Sequence, residues 1–290
     1  MEYAMKLDHL TKDFGSFKLD DVTFAIPGGT ILGLIGENGA GKSTAIKCLL
    51  GILHPTSGSV ELLEGEGLGG VGYVPDECPF SDQLKVKQVG SFCAGLFPGW
   101  EESLFAHYLQ KFELPADKKV KELSRGMKMK LSIAAALSHK PKLLVLDEAT
   151  SGLDPVVRDE ILDEFLAFIR DEDHAILISS HITSDLEKIC DYVVYLHKGK
   201  VTVSGAKDEL LSAYGKLSCS KTDLARLDPA LIVGKREGDY GCQALINDRA
   251  VFERAYPDLP LDVPTLEDLM IFTTKGDLLS FEKESKQRKL

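Results

Sequence analysis

No two of the six cysteines (Cys48, Cys78, Cys93, Cys190, Cys219, Cys242) form a CxxC pair. A zinc cluster or a disulfide framework needs closer, patterned spacing, so free thiols in a reducing compartment are expected. Long apolar runs are missing too. The longest, such as Ile31–Ile35 and Leu143–Leu146, have strand length, far short of the roughly eighteen residues of a membrane span. The start, Met1–Lys6, carries no apolar h-region, so no signal peptide is expected. Positive charge is scarce: 34 Lys and Arg stand against 45 Asp and Glu, a formal net charge of -11. A domain gripping nucleic acid through its phosphates shows the opposite bias, so nucleic acid is not an expected partner. These features fit an acidic, soluble, cytoplasmic chain of 290 residues, long enough for one large domain and an appendage.

The chain does have alternation of period two in its first part. "DDVTFAIPGGTILGLIG" alternates apolar and polar residues, turns at Pro27-Gly28-Gly29 and runs apolar into Gly36. A helix is expected from Lys42 to about Leu53, ended by His54-Pro55, and the glycine-rich stretch Gly65–Gly72 reads as a loop. From about 86 to 138 the spacing turns helical, which predicts a helical insert. Beyond it come a buried strand (Leu143–Leu146), a helix (Val156–Arg170), a strand (Ala175–Ser179), a helix (Ile182–Ile189) and a strand (Tyr192–His197). Such alternation predicts an α/β fold with a mostly parallel sheet. Periodicity weakens after Gly215, so residues 1–215 are expected as the main domain and 216–290 as a small appendage.

The densest chemical signal is "GENGAGKST", Gly36–Thr44, which fits G-x-x-x-x-G-K-[ST] between an apolar strand and a helix. Gly36, Gly39 and Gly41 let the backbone turn tightly, so that the N–H groups of Gly36, Glu37, Asn38, Gly39, Ala40 and Gly41 can point at phosphate oxygens. Lys42 brings positive charge to the β- and γ-phosphates, Ser43 offers a hydroxyl to a metal, and Thr44 with the helix N-terminus takes the α-phosphate. Asp147 and Glu148 end the apolar run from Leu143, and the carboxyl edge of a parallel sheet is where ligands sit. Asp147 suits Mg²⁺ and Glu148 suits polarising an attacking water, although a plain acidic helix cap would read the same way.

"LSRGM" (Leu123–Met127) precedes that strand, "SGLDP" (Ser151–Pro155) follows it, and "SSH" ends at His181. In this order the set resembles the ATP-binding-cassette ATPases over about residues 3–215: the phosphate loop, the signature motif (usually LSGGQ), the Walker B carboxylates, the D-loop and the switch histidine. The resemblance implies a P-loop NTPase cassette with a mostly parallel core sheet, an antiparallel β subdomain and a helical insert subdomain. It implies ATP and Mg²⁺ as cofactors, with Ser43, Asp147 and Asp76 near the metal. It also implies two cassettes packed head to tail, with Ser124 and Gly126 of one facing the γ-phosphate bound by the other. Asp154 belongs to the D-loop, and His181 would contact the γ-phosphate and orient water with Glu148. The aromatic before a glycine that stacks on adenine in this family falls at Phe14, with Phe17 as runner-up and edge-of-core packing as the alternative.

Departures from the family pattern bear on hydrolysis rate. Asp76 stands where a glutamine is expected, Arg125 replaces the first glycine of the signature pair and Met127 its final glutamine, and Ala149 replaces a common proline. A single cassette disfavours the tandem translation factors, and only 79 residues between Thr44 and Ser124 leave no room for the long coiled coil of repair ATPases. The wording most resembles stand-alone ATPase subunits of small bacterial exporters of drugs or antimicrobial peptides. That implies an ATP-hydrolysing subunit, peripheral at the inner face of the membrane through separate transmembrane permease subunits and permitted to form a homodimer. The alternative is a soluble assembly scaffold or switch. Leu96, Phe97, Pro98 and Trp100 are either part of the permease docking groove or the helical subdomain's own core and turn. Pro264–Asp277 reads as a short helix whose Leu266, Leu269, Met270 and Phe272 pack onto the body or a dimer mate, and "KESKQRKL" is a basic, frayed end or a membrane-sensing tail.

Overall fold

The structure, a computed structural model, describes residues 3–62, 67–238 and 241–275. The basic end "KESKQRKL" lies outside them. The chain divides into two compact units, 1–204 and 205–290.

The first unit comprises β1 (Met5–Asp13), β2 (Lys18–Ile26), β3 (Ile31–Ile35), α1 (Lys42–Leu49), β4 (Ser57–Leu62), β5 (Val71–Val74), α2 (Val86–Ala94), α3 (Glu102–Lys111), α4 (Arg125–Leu137), β6 (Leu143–Asp147), α5 (Pro155–Phe168), β7 (Ala175–Ser180), α6 (Thr183–Ile189), β8 (Tyr192–His197) and β9 (Lys200–Ala206), the last running across the division. Strands β2-β1-β4 form an antiparallel sheet, and a second sheet has the order β5-β6-β7-β3-β8-β9. In that second sheet β5 to β6, β6 to β7, β7 to β3 and β3 to β8 all pair parallel. Every residue of β3, β6 and β7 is buried, as expected where a strand is covered on both faces and therefore reads as a continuous apolar run. Helix α1 carries Ile46 and Leu49 into one cluster with Leu7, Leu10, Leu19 and Val22 of the antiparallel sheet and Leu32, Leu34, Val145 and Leu177 of the parallel one. The helix after the phosphate loop is thus clamped between the two sheets.

Two local expectations need correcting. Helix α1 stops at Leu49, four residues before the expected end, because Gly51 takes φ +68 and the Leu53 N–H donates to the Lys47 carbonyl instead of continuing the helix. The stretch read as a loop from Gly65 to Gly72 contains a short 3₁₀ turn at Gly67–Gly70, and Val71-Gly72 already belong to β5, paired with Leu143-Leu144. Its glycines hid that strand, since Gly72 packs under Pro141 and Leu144 with no room for a side chain. The helical insert is as expected, with Val86, Val89, Cys93, Phe105, Met129, Leu131 and Ile133 buried.

The second unit adds α7 (Lys207–Ala213), β10 (Gly215–Cys219), α8 (Lys221–Arg226), β11 (Ile232–Gly238), β12 (Gly241–Ile246), α9 (Arg249–Ala255), β13 (Leu261–Asp262) and α10 (Leu266–Lys275). Its sheet is antiparallel, in the order β11-β12-β10-β13. One face packs Leu217, Ala244 and Ile246 against Leu224, Leu227 and Phe252. Helix α10 lies against β11 and β12, burying Leu266, Leu269 and Phe272, so these residues serve this unit's own sheet, while Met270 stays half-buried. The unit begins at Gly205, eleven residues before the expected start at 216.

Asp268 anchors α10. Its Oδ2 accepts from the Thr265 N–H at 3.0 Å while the Thr265 hydroxyl accepts the Asp268 N–H at 3.0 Å, a reciprocal cap, and Oδ1 accepts from Lys216 Nζ at 2.7 Å. Burial pushes the carboxyl up, but the Lys216 ammonium and the Thr265 donors outweigh it and hold Asp268 below its ordinary range. A depressed pKa gives stabilisation that is present above the ordinary carboxylate range and lost as pH falls through it. Asp268→Ala is expected to destabilise the second unit by about 2 kcal/mol at neutral pH and by less at pH 3, measured by urea unfolding at both pH values.

Candidate functional site

Parallel pairing brings the candidate residues together. The register sets Asp147 beside Ser179 and Ile35 beside Ser180, so β6, β7 and β3 end side by side. The phosphate loop, Glu148 and His181 therefore leave the same sheet edge. Gly36 turns the chain out of β3 directly under Leu196: a Cβ there would sit 2.5 Å from the Leu196 carbonyl oxygen, so only glycine fits. Gly41 caps α1 at φ +114, with Leu19 2.9 Å from where a side chain would begin.

Lys42, the first residue of α1, is 5 % exposed; its Nζ donates to the Gly36 carbonyl at 2.7 Å and lies 3.1 Å from Glu148 Oε1. Glu148 takes φ +54, a left-handed conformation unusual outside glycine, which breaks the strand just after Asp147. Its N–H is held by the Ser179 carbonyl and hydroxyl oxygens, both at 3.1 Å. The side chain thus reaches Lys42 on one oxygen and His181 on the other, where Nδ1–H donates to Oε2 at 2.7 Å. With Nδ1 the donor, Nε2 is the ring nitrogen not bonded to Glu148, on a side chain 43 % exposed. Asp147 is buried and accepts from the Ser179 hydroxyl at 2.6 Å. Ser179 organises both carboxylates. Sequence reasoning passed over it, although it begins the "SSH" segment whose last residue was chosen.

Asp76 is exposed, and its Oδ1 accepts the neighbouring Glu77 N–H. Its charge is felt at Tyr73: burial pushes that phenol up to about 12, with smaller pushes from Asp147 and Asp76. Among the described residues no cluster of three or more His, Cys, Asp or Glu could hold a metal alone. Mg²⁺ commonly takes one or two carboxylates plus water and substrate phosphates, a share that Asp147 and the Ser43 hydroxyl would supply by their chemistry.

Ser124, Gly126 and Asp154 form a second group. Ser124 caps α4, its hydroxyl accepting the Met127 N–H at 3.2 Å; Gly126 faces Val157; and Asp154 caps α5 by accepting the Val157 N–H at 3.1 Å, with Pro155 at the first helical position. The Arg125 guanidinium lies against Gly152, 2.9 Å from where a Cβ would be. Phe14 is 49 % exposed, with Lys12 Nζ 5.4 Å above its ring, whereas Phe17 packs against the core and under Gly41. Of the two aromatics, Phe14 is the more exposed, while Phe17 lines a surface pocket beside Gly39. Phe97 stacks on His139 and Trp100 packs on Phe105, which makes them part of the helical subdomain, while Phe92 and Leu96 are more than half exposed.

The sequence profile described as "ABC transporter" matches residues 19–151. The lantibiotic transport ATP-binding protein SrtF of Streptococcus pyogenes is 37 % identical over 212 residues, covering 70 % of this chain and 91 % of that protein. The chain belongs to the ABC transporter ATP-binding proteins. Bacitracin transport ATP-binding protein BcrA of Bacillus licheniformis is 35 % identical over 211 residues, covering 69 % of each chain. A solved ATP-binding subunit of an ABC transporter superposes with a TM-score of 0.65 at 28 % identity, over 72 % of this chain and 92 % of that one. The fold is therefore the P-loop cassette expected from the motifs. As an ABC protein the chain is an ATP-binding, transport-type ATPase. Among its described residues no helix is long and apolar enough to cross a membrane.

Proposed function

We propose that this chain is the Mg²⁺-dependent ATP-hydrolysing subunit that powers a separate membrane-embedded exporter of peptide antibiotics or similar membrane-active compounds, working as a pair of cassettes. The observation that carries the reading is the Lys42–Glu148–His181 group at the mouth of the phosphate loop. It joins a buried cation to a general-base carboxylate by an ionic contact and that carboxylate to a histidine by a hydrogen bond, and two relatives, 37 % and 35 % identical, are named as ATP-binding proteins of lantibiotic and bacitracin transport.

Each residue has a part in this reading. The N–H groups of Gly36–Gly41 and Lys42 bind the β- and γ-phosphates, and Ser43 and Thr44 complete the cradle. Phe14 offers a face to the adenine. Mg²⁺, held by Ser43 and Asp147 and through water by Asp76, would neutralise charge on the phosphate oxygens. Glu148 accepts a proton from the attacking water, and His181 holds the carboxylate oriented through Nδ1. Ser124, Gly126 and Asp154 face the nucleotide of the second cassette, so a bridging phosphate closes the pair and its loss opens it. Phe92 and Leu96 give the permease an apolar surface to sit on.

Affinity purification of the tagged chain from detergent-solubilised membranes of its host tests the exporter reading. A polytopic membrane protein should co-purify, and the complex in liposomes should hydrolyse ATP. Recovery of soluble partners alone sinks the reading in favour of the assembly scaffold.

A further inference from the structure

A buried ion pair behind the site is incomplete in a specific way. Arg158, in the first turns of α5, and Asp185, in the first turn of α6, approach to 3.7 Å between Nη1 and Oδ1. Asp185 is only 4 % exposed at its side chain, and Arg158 26 %. Arg158 Nη2 also donates to the Leu153 carbonyl at 3.2 Å, holding the loop that leads into Asp154. Yet Arg158 Nε and Asp185 Oδ2 are both buried without a hydrogen-bond partner. A guanidinium and a carboxylate facing each other can make a fork of two parallel bonds at about 2.8 Å, and a shift of roughly 1 Å between the two helices would bring this pair into bonding distance. Buried polar atoms left unpaired are rare enough to need a reason. Here Thr150 Oγ1 and Glu148 Oε1 share the condition, although Oε1 keeps its ionic contact with Lys42. The unsatisfied atoms therefore bracket the loop from Glu148 to Asp154 and the start of α6.

The connectivity says what closing this pair would move. Asp185 lies four residues after His181, the ring bonded to Glu148. Leu153, on the other side, immediately precedes Asp154. We propose that Arg158 and Asp185 are positioning residues for hydrolysis. Their pair, 3.7 Å apart, closes to a bidentate fork when His181 is engaged, carrying the loop 150–154 into its working position through the Leu153 carbonyl. Neither residue touches substrate; they act through His181 and the loop. The inference rests on the hydrolytic reading of Glu148 and His181 given above.

The test uses the full chain with Mg-ATP, comparing the parent with Arg158→Lys, Asp185→Asn and the double variant. Lysine keeps the charge but loses the fork, and asparagine keeps the shape but loses the charge. Each single variant should lower kcat about tenfold while KM for ATP stays within twofold, and the double variant should fall no further, because the two act as one unit. A second readout needs no turnover. In the Glu148→Gln background, adding ATP should slow amide-hydrogen exchange over 150–157, and Arg158→Lys or Asp185→Asn should remove that slowing while exchange without nucleotide matches the parent. This exchange measurement on Arg158→Lys decides the matter alone if Asp185→Asn does not fold. Unchanged kcat in both single variants, losses that multiply in the double variant, or retained ATP-dependent slowing each overturn the proposal while leaving the ATPase reading intact. Absence of any turnover in the parent chain removes that reading, and the role of the pair with it.

Discussion

Glu148→Gln is expected to lower kcat for ATP by about 10²–10⁴-fold, the usual contribution of a positioned general base, while ATP binding persists. The substitution is nearly isosteric and the left-handed backbone at this position stays anchored by Ser179, so the fold should survive. The chemistry should not. The carboxylate is engaged on both oxygens, accepting the His181 Nδ1–H at 2.7 Å on one and making an ionic contact with Lys42 Nζ at 3.1 Å on the other. A glutamine amide has a single acceptor oxygen, so one of those donors must face an NH₂ group. The variant therefore loses the base and also loses the arrangement that orients the histidine. Phosphate release under saturating Mg-ATP measures the first effect. Gel filtration with ATP measures the consequence, a cassette pair that forms and does not come apart. Turnover at the parent rate would falsify the assignment of Glu148.

Much of this site could be read from the residues because its parts are local. The phosphate loop, the apolar run ending in two carboxylates and the "SSH" segment each occupy a few consecutive positions. Their placement on one edge follows once a mostly parallel sheet is expected. What could not be read is which strand lies beside which. The order β6-β7-β3 is a property of long-range packing, and it alone brings Lys42, Glu148 and His181 into one group of contacts. The same applies to Arg125, whose guanidinium rests on the bare backbone of Gly152, at φ +68, a contact that the motif's wording does not announce.

The second unit was hard to read for a different reason. Its strands are short and amphipathic, and β10 alternates buried Gly215 and Leu217 with more exposed Lys216 and Ser218, a pattern too brief to stand out from loop sequence. A sheet covered on both faces, as β3, β6 and β7 are, announces itself by composition, whereas one partly open to water does not. The early end of α1 shows the same limit at smaller scale. His54-Pro55 is a visible stop, but Gly51 acted first.

Lys42→Ala should produce two separable losses. Nucleotide affinity should fall about 10- to 150-fold, because a hydrogen bond to a charged group contributes about 1.5–3 kcal/mol and this ammonium is the only side-chain cation in the loop Gly36–Thr44. The nucleotide-free protein should also lose stability. Lys42 is buried, and its removal leaves the Glu148 carboxylate with His181 as its remaining partner. Removing one member of a buried pair costs about 3–5 kcal/mol, and since the Glu148 side chain keeps 15 % exposure the cost should sit at the low end. Combining the substitution with Glu148→Gln separates the two roles. With no carboxylate left stranded, Lys42→Ala should then cost less than about 1 kcal/mol in the unfolding of the first unit, whereas the loss of nucleotide affinity should be unchanged. Urea unfolding of the four proteins, read beside equilibrium binding of a fluorescent ATP analogue, completes the cycle. Equal destabilisation by Lys42→Ala in both backgrounds would show that the ion pair contributes nothing to the fold and that Lys42 is retained for phosphate alone.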